Sequence, residues 1–497
     1  MKRMICVLCA MALCLGCVAC ASSKGKSAAR TKSPLSITDK AATDAVTTPV
    51  VAHAASDINA SKAPVMQLSH RGIVASYPDG GFVLFIARKA ESVLNGPTPV
   101  KYGVLEAKKY DKNKKLVWDK KFPSLTDVCY AATVTPDGGT LIATDINYVV
   151  HNELNYTSQG YFSKISASGA LEWRDKLVQN YQYIDQIDVA ANGDIYTSGA
   201  YYGGGVDGPG DVSGIGGPSA SWQHCGQDAC VTLALGRYDQ SGKMQAHQIS
   251  DISNSLAEGN IASLGSVYYQ EGVGLIVDHG ICCACYDANL QKKWVCQYPN
   301  TPADQSYENM KVGDYSSNAT TRLTKTGILV CADNRDGSQE RVLKVSFEGK
   351  LTSTSTFTLS PARLSGVWTD SRIDPLPDGR CVYGYSNYTS GTQVSFFSQG
   401  KVTTFDDFKD WLRFDGLTPD AGGGFTVGYA VLNAKNGKGA VEIDSSAASY
   451  VITKYNSVGN VEYQKVFKAP QSKNEYDEDT PSDNYQVLPD GTILIFN

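Results

Sequence analysis

Repeated β units closing into a ring are what this sequence predicts, and three observations carry the prediction. A ten-residue phrase returns seven times, a turn-and-strand phrase returns eight times in alternation with it, and no intervening segment shows an apolar 3.6 period of helical length. Short β units that cannot bury an apolar face singly do so against copies of themselves. Arranged radially, they make an all-β propeller of four-stranded blades.

The ten-residue phrase reads KYDKNKKLVW (109–118), KISASGALEW (164–173), RYDQSGKMQA (237–246), CYDANLQKKW (285–294), KVSFEGKLTS (344–353), SFFSQGKVTT (395–404) and KYNSVGNVEY (454–463). Its frame of base, apolar residue, Asp/Ser/Asn, two variable positions and usually Gly describes strand, turn, strand, with glycine where φ > 0 is tolerated. The lysines read as turn and solvent-face residues. They are not a polyanion patch: the 497 residues carry 45 basic and 50 acidic side chains, a net charge of −5, and no electrostatic footprint for nucleic acid.

The second phrase appears as SYPDGGFVLFIA (76–87), VTPDGGTLIATD (134–145), VAANGDIYTSGA (189–200), QEGVGLIVDHG (270–280), TKTGILVCAD (324–333), PLPDGRCVYGYS (375–386), LTPDAGGGFTVGYA (417–430) and VLPDGTILIFN (487–497). Each is a turn followed by a Val/Ile/Phe/Tyr-rich run too short for a helix, as in a buried inner strand. Eight copies against seven of the other leave the last one unpaired at the chain end. Eight blades are therefore favoured over seven, with the final blade completed by a strand from the opposite terminus around Val65 to Leu68, which removes an open edge.

This alternation resembles the β-propeller repeats, of the SBBP and PQQ-like kind, of bacterial exported lipoproteins, over roughly residues 65 to 497. The resemblance implies architecture more than activity, because such repeats serve dehydrogenases, assembly scaffolds and surface lipoproteins alike. Trp118, Trp173 and Trp294 keep the closing tryptophan of the phrase, whereas Ala246, Ser353, Thr404 and Tyr463 replace it. Docking of one blade on the next by that ring is expected in only some blades.

Residues 1–20 read as an export signal: Lys2 and Arg3, then an apolar run, then small residues. A small residue precedes both Cys17 and Cys20, and Cys20, followed by a polar Ser-Ser-Lys-Gly-Lys segment, is the expected lipidation site, with Cys17 the alternative. Cleavage after Ala21 without lipid is the competing reading. Residues 21–63, rich in Ala, Ser, Thr, Lys and Pro, are expected to form a flexible tether, about 35 Å in root-mean-square span. Residues 64–497 are expected to be one propeller domain at the extracytoplasmic face, held to the membrane by an N-terminal lipid.

Nine cysteines follow the signal, an odd number. Cys225 and Cys230 close a small loop within a glycine-rich insertion and are a candidate disulfide in an oxidising compartment. Cys283 or Cys285 can reach Cys296 across a hairpin, and the expectation settles on Cys285 and Cys296. Cys129, Cys331 and Cys381 read as small buried apolar residues. His279 beside Cys282, Cys283 and Cys285 invites zinc or copper, but alternation puts Cys282 on the face opposite Cys283 and Cys285. No metal site and no cofactor are expected.

Tyrosine is the positive sign for binding, with 28 residues, several of them paired. Tyr201, Tyr202, Tyr268, Tyr269 and Trp222 are the candidate recognition surface, because aromatic rings with a polar tip suit protein or glycan partners; packing between blades is the competing account of each tyrosine. Two functions stay open. One is a non-catalytic binding or scaffold module at the cell surface whose partner is a protein or a cell-envelope polymer. The alternative is an extracellular glycan- or peptide-directed hydrolase or lyase with its site in the central pocket, for which no motif identifies catalytic residues.

Overall fold

The computed structural model describes residues 53–88, 104–123, 128–149, 156–177, 183–203, 230–249, 266–279, 282–298, 320–333, 339–358, 369–387, 391–398, 401–410, 412–420, 422–436, 441–468 and 485–496. They form an all-β, eight-bladed propeller.

After a short 3-10 turn at Ala60–Lys62 come β1 (Val65–Leu68) and then seven antiparallel four-stranded blades. Blade 1 holds β2 (Ile73–Ser76), β3 (Phe82–Arg88), β4 (Val104–Tyr110) and β5 (Leu116–Pro123). Blade 2 holds β6 (Val128–Val134), β7 (Thr140–Val149), β8 (Tyr156–Ile165) and β9 (Leu171–Lys176). Blade 3 holds β10 (Tyr183–Val189), β11 (Ile195–Gly203), β12 (Cys230–Tyr238) and β13 (Met244–Ile249). Blade 4 holds β14 (Val267–Gln270), β15 (Gly274–Asp278), β16 (Cys282–Tyr286) and β17 (Lys292–Gln297).

Blade 5 is β18 (Thr320–Thr324), β19 (Gly327–Asp333), β20 (Gln339–Ser346) and β21 (Leu351–Thr358). Blade 6 is β22 (Thr369–Pro375), β23 (Cys381–Asn387), β24 (Gly391–Ser398) and β25 (Lys401–Phe408). Blade 7 is β26 (Leu412–Pro419), β27 (Phe425–Asn436), β28 (Val441–Tyr455) and β29 (Val461–Lys468). The first strands of neighbouring blades approach one another, β2 with β6, β6 with β10, β10 with β14, β18 with β22 and β22 with β26, so they form the inner ring.

Blade 8 comes from both ends of the chain. β30 (Tyr485–Val487) and β31 (Ile493–Phe496) pair antiparallel, and β1 joins β31 in parallel, from Val65 opposite Ile493 to Leu68 opposite Phe496. Leu68, Leu494 and Phe496 then pack against Val74, Phe82 and Leu84 of blade 1. This is the closure expected from the unpaired last phrase.

Each sheet buries both faces, one against the preceding blade and one against the next. In blade 4, Cys282, Ala284 and Tyr286 pack with Leu233 and Leu235 of blade 3, while Cys283 and Cys285 pack with Ile328 and Val330 of blade 5. The opposite-face argument for these cysteines holds.

The tether boundary needs correction. Residues expected to remain free up to 63 are docked from His53 onward along the outer edges of blades 6 and 7. His53 bridges in parallel to Phe408, with N–H to Asp407 O at 2.9 Å and its carbonyl accepting from Lys409 N at 2.8 Å. Ile58 and Gln464 exchange backbone bonds at 2.9 and 2.7 Å, and Asp57 Oδ1 accepts from Val466 N at 2.9 Å. Composition could not show this. The segment docks largely by main-chain hydrogen bonds to open strand edges, which any non-proline sequence can make, with side-chain bonds from Val466 N to Asp57 and from Ala55 N to Asp410 added.

Candidate functional site

Strand direction alternates within a blade, so its first-to-second and third-to-fourth turns share one end, here the turn end. The other end carries the remaining connections, among them 89–103, 204–229, 250–265, 299–319 and 469–484, which lie outside the described residues.

At the turn end the repeated phrases become inter-blade ties. The aspartate of the PDG phrase accepts its own turn's N–H groups, as in Asp79 Oδ1 to Gly81 N (2.9 Å) and Asp137 Oδ1 to Gly139 N (3.0 Å), which is an Asx turn. The third position of the hairpin phrase works alike: Asp111 Oδ1 accepts from Asn113 and Lys115 N, both at 2.9 Å. The tryptophans reach onward. Trp118 Nε1 donates to Ala167 O of blade 2 (3.0 Å), Trp173 Nε1 to Gln240 O of blade 3 (3.2 Å) and Trp294 Nε1 to Phe347 O of blade 5 (3.1 Å).

Each of these rings lies on the hairpin glycine of the next blade. A Cβ on Gly242 would fall 2.6 Å from Trp173 Cδ2, and one on Gly349 2.5 Å from Trp294 Cδ2. In one seam that lacks tryptophan, the glycine is exchanged as well, whereas Gly459 of blade 7 is kept after Thr404 and faces Phe396 and Phe405 of blade 6. Ala246 of blade 3 packs against Leu290, which replaces glycine in blade 4. Lys114, at the glycine position of blade 1, reaches back to Asp490 of blade 8 at 2.6 Å.

The first base of the phrase is not a simple solvent-face residue. Lys164 is 7% exposed and pairs with Asp137 and Glu172; Arg237 pairs with Asp194 at 2.7 Å and donates to Ala288 O of blade 4 at 3.0 Å; Lys454 pairs with Asp420. Burial alone would raise the Asp137 carboxyl, but the Lys164 ammonium and the Thr135 hydroxyl outweigh it and hold it at about 2. Lys109 instead donates to Gly138 O and Ala167 O of blade 2.

The seam between blades 5 and 6 departs from this scheme. Its β18–β19 turn has only Lys325 and Thr326 between the paired Thr324 and Gly327, whereas five residues separate Ser76 from Phe82 in blade 1. The shortened turn has no aspartate, so Lys344, at the base position, has no side-chain partner among the described residues. Ser353 stands where tryptophan would bridge. The space left is a cavity of about 680 Å³ lined by Lys325, Lys344, Asp378, Gly379, Asp420 and Gly423, reaching the turn of blade 7. Asp378 and Asp420 are already engaged by Arg380 and Lys454.

The sequence-expected residues fall in several places. Cys17, Cys20, Trp222 and Cys225 lie outside the described residues. Tyr201 and Tyr202 pair with Thr232 and Val231 near the end of β11, and Cys230 pairs with Gly203 at the last rung before the 204–229 connection. Tyr268 and Tyr269 are half-buried on the inner strand of blade 4 and work between blades. Tyr268 OH donates to Thr321 O at 2.6 Å, and Tyr269 stacks on Tyr196 at 4.5 Å with its N–H on Asp188. For these two, blade packing replaces the recognition role, because their rings and polar groups already face protein.

The expected Cys285–Cys296 pairing is corrected by register. Cys296 stands opposite Cys283, and Cys285 stands opposite Trp294, two rungs away. Cys283, Cys285 and Cys296 form no disulfide here, and the hydrogen bond that Cys283 shares with Cys296, together with burial, pushes its thiol far up. His279 is buried beside them and meets Tyr286 OH at 3.3 Å, while Asp278 accepts from Tyr298 OH at 3.0 Å. A second buried acid was not foreseen. Asp406 accepts from Tyr455 OH at 2.8 Å and faces His53 Nδ1 at 3.4 Å, and burial raises its carboxyl.

No protein-family model and no curated protein matches the chain. Among solved structures it is similar to a protein of unknown function from Bacteroides caccae (11% identity, TM-score 0.32, covering 83% of this chain and 98% of that one). It is also similar to the Pan2 WD40 domain of Neurospora crassa (9% identity, TM-score 0.33, covering 69% and 86%). Prolyl oligopeptidase B of Galerina marginata aligns at 8% identity and TM-score 0.38, over 78% of this chain and 47% of that one. At these scores the blade count rests on the chain's own strand pairing.

Proposed function

We propose that the protein is an exported, lipid-anchored propeller acting as a non-catalytic binding or scaffold module at the cell surface, with a protein or cell-envelope polymer as partner. The observation that carries this reading is the division of labour between the two ends of the blades. The turn end carries the tryptophan ties and, at the seam of blades 5 and 6, a cavity, whereas the long insertions spring from the other end. A rigid scaffold presenting variable loops is the common arrangement of binding proteins.

Residues 204–229, containing Trp222 and Cys225 and flanked by Tyr202 and Cys230, are the largest glycine-rich insertion and the proposed recognition element. The export reading is supported by Lys2, Arg3 and the apolar run before Cys20. The test is a pull-down from envelope fractions together with a glycan array, using the full chain and one with 204–229 replaced by a short Gly-Ser link. Loss of the captured partner with an unchanged melting temperature is expected. Equal capture by both overturns the recognition element. Labelling with a fatty-acid analogue is expected to be lost in Cys20→Ser and kept in Cys17→Ser.

A further inference from the structure

Cys331 lies on β19 of blade 5 and Cys381 on β23 of blade 6, both fully buried. Their sulfurs are 3.1 Å apart across the seam. Around them Leu329, Val342, Ile373, Tyr383 and Phe397 form one apolar cluster. The pair sits in the seam that lacks a bridging tryptophan, an acid for Lys344 and a full-length turn, and that encloses the cavity. We infer that Cys331 and Cys381 form a disulfide that ties blade 5 to blade 6 covalently, where the seams after blades 1, 2 and 4 use a tryptophan ring.

An approach of about 1 Å brings the sulfurs to the bond length of about 2.0 Å. The oxidant is the disulfide of a dithiol oxidoreductase. One of the two cysteines, as thiolate, attacks it to give a mixed disulfide and releases one partner thiolate. The second cysteine, as thiolate, then attacks the mixed disulfide, forming the Cys331–Cys381 bond and releasing the partner as a dithiol. Two protons and two electrons pass to that partner. Because both sulfurs are sealed in the finished ring, the exchange precedes closure of the seam. Cys283 and Cys296, on adjacent strands of one blade, would tie no two blades together.

Formation in the cell rests on the export reading, whereas the pairing itself does not, and the experiment separates the two. The full chain is recovered from the exported fraction of a bacterial host, and the chain without residues 1–20 from hosts with an oxidising and a reducing cytosol. Free thiols are blocked in denaturant before digestion with trypsin without reductant. Cleavage after Lys325, Arg335, Arg380 and Lys401 places Cys331 and Cys381 alone in their peptides. A linked 326–335/381–401 species, two hydrogens lighter than its parts and absent from the reducing host, is expected in the other two preparations. Recovery of both as blocked thiols from folded protein of the oxidising host overturns the pairing. A link in that host but not in the exported fraction overturns the export reading alone. Cys381→Ser is expected to leave the Cys283 and Cys296 peptides unchanged while removing the linked species.

Discussion

The seam between blades 2 and 3 and the seam between blades 5 and 6 join the same kind of sheet by different means. In the first, Trp173 lies on Gly242 and donates to Gln240 O across the seam, while Lys164 is held by two carboxylates of its own blade. In the second, serine stands for tryptophan, the turn is shorter by three residues, Lys344 faces a cavity, and two thiols meet in the core. The repeat therefore encodes two separable things. Alternating apolar strand residues make the blade, while the turn phrases make the tie to the next blade, and a tie can be lost if another replaces it.

Breaking a tie where it is tightest has the largest expected effect. Gly242 has φ +84° and a tryptophan face where its Cβ would go, so Gly242→Ala is expected to cost about 3 kcal/mol or more, combining backbone strain with overpacking. Gly272, at φ +75° with nothing near, isolates the backbone part, and Gly272→Ala is expected to cost about 1 kcal/mol. Denaturant melts of the two variants give the difference. Equal losses would show that the ring contact is unimportant.

The seam between blades 3 and 4 sharpens the comparison, because it shows the same contact with sizes exchanged. Ala246→Trp alone would press on Leu290 and is expected to cost about 2 kcal/mol through overpacking. Adding Leu290→Gly restores the arrangement found in blades 2 and 3, and the double variant is expected to recover at least about 1 kcal/mol relative to the sum of the singles. Additive losses would mean that Ala246 and Leu290 are not partners.

The propeller, the eight copies and the borrowed strand were all legible because periodicity and turn residues report local backbone needs. The ties were less so. Lysine at the head of the phrase looks like a solvent residue, and its pairing with the turn aspartate is kept in only some repeats. Asp79, Asp137, Asp194 and Asp420 accompany Lys109, Lys164, Arg237 and Lys454, and blade 4 has neither, but blade 5 keeps Lys344 without an aspartate and blade 6 keeps Asp378 with Ser395 at its head. The docking of His53 to Ile58 on blades 6 and 7 left no pattern in the sequence, since its strand-like bonds are main-chain bonds to an edge and its side-chain contacts, Asp57 to Val466 N and His53 to Asp406, follow no repeat. The Cys331–Cys381 contact joins positions 50 residues apart through the ring geometry, which no local pattern encodes.

The ion pairs inside a blade are expected to make the smallest contribution. The Asp137 carboxyl is held at about 2 in the folded chain, below its ordinary value near 4. Its pairing therefore stabilises fully above about pH 4 and is lost as the pH falls through about 2. The side chain is half exposed, so the effect is expected to stay within about 1 kcal/mol. Asp137→Asn should flatten the acid limb of the melting-temperature profile by that amount. A larger change at pH 7 than at pH 2.5 is the expected sign, and the reverse would contradict the pairing.

All these ties act on a ring that the N-terminal strand closes. Replacing Val65–Leu68 by Gly-Gly-Ser-Gly removes the apolar side chains of β1 and leaves β31 with an open edge beside blade 1. A melting temperature lower by many degrees, with concentration-dependent association through that edge, is the expected result. A variant that melts at the temperature of the intact chain and stays monomeric would contradict closure by the N-terminal strand.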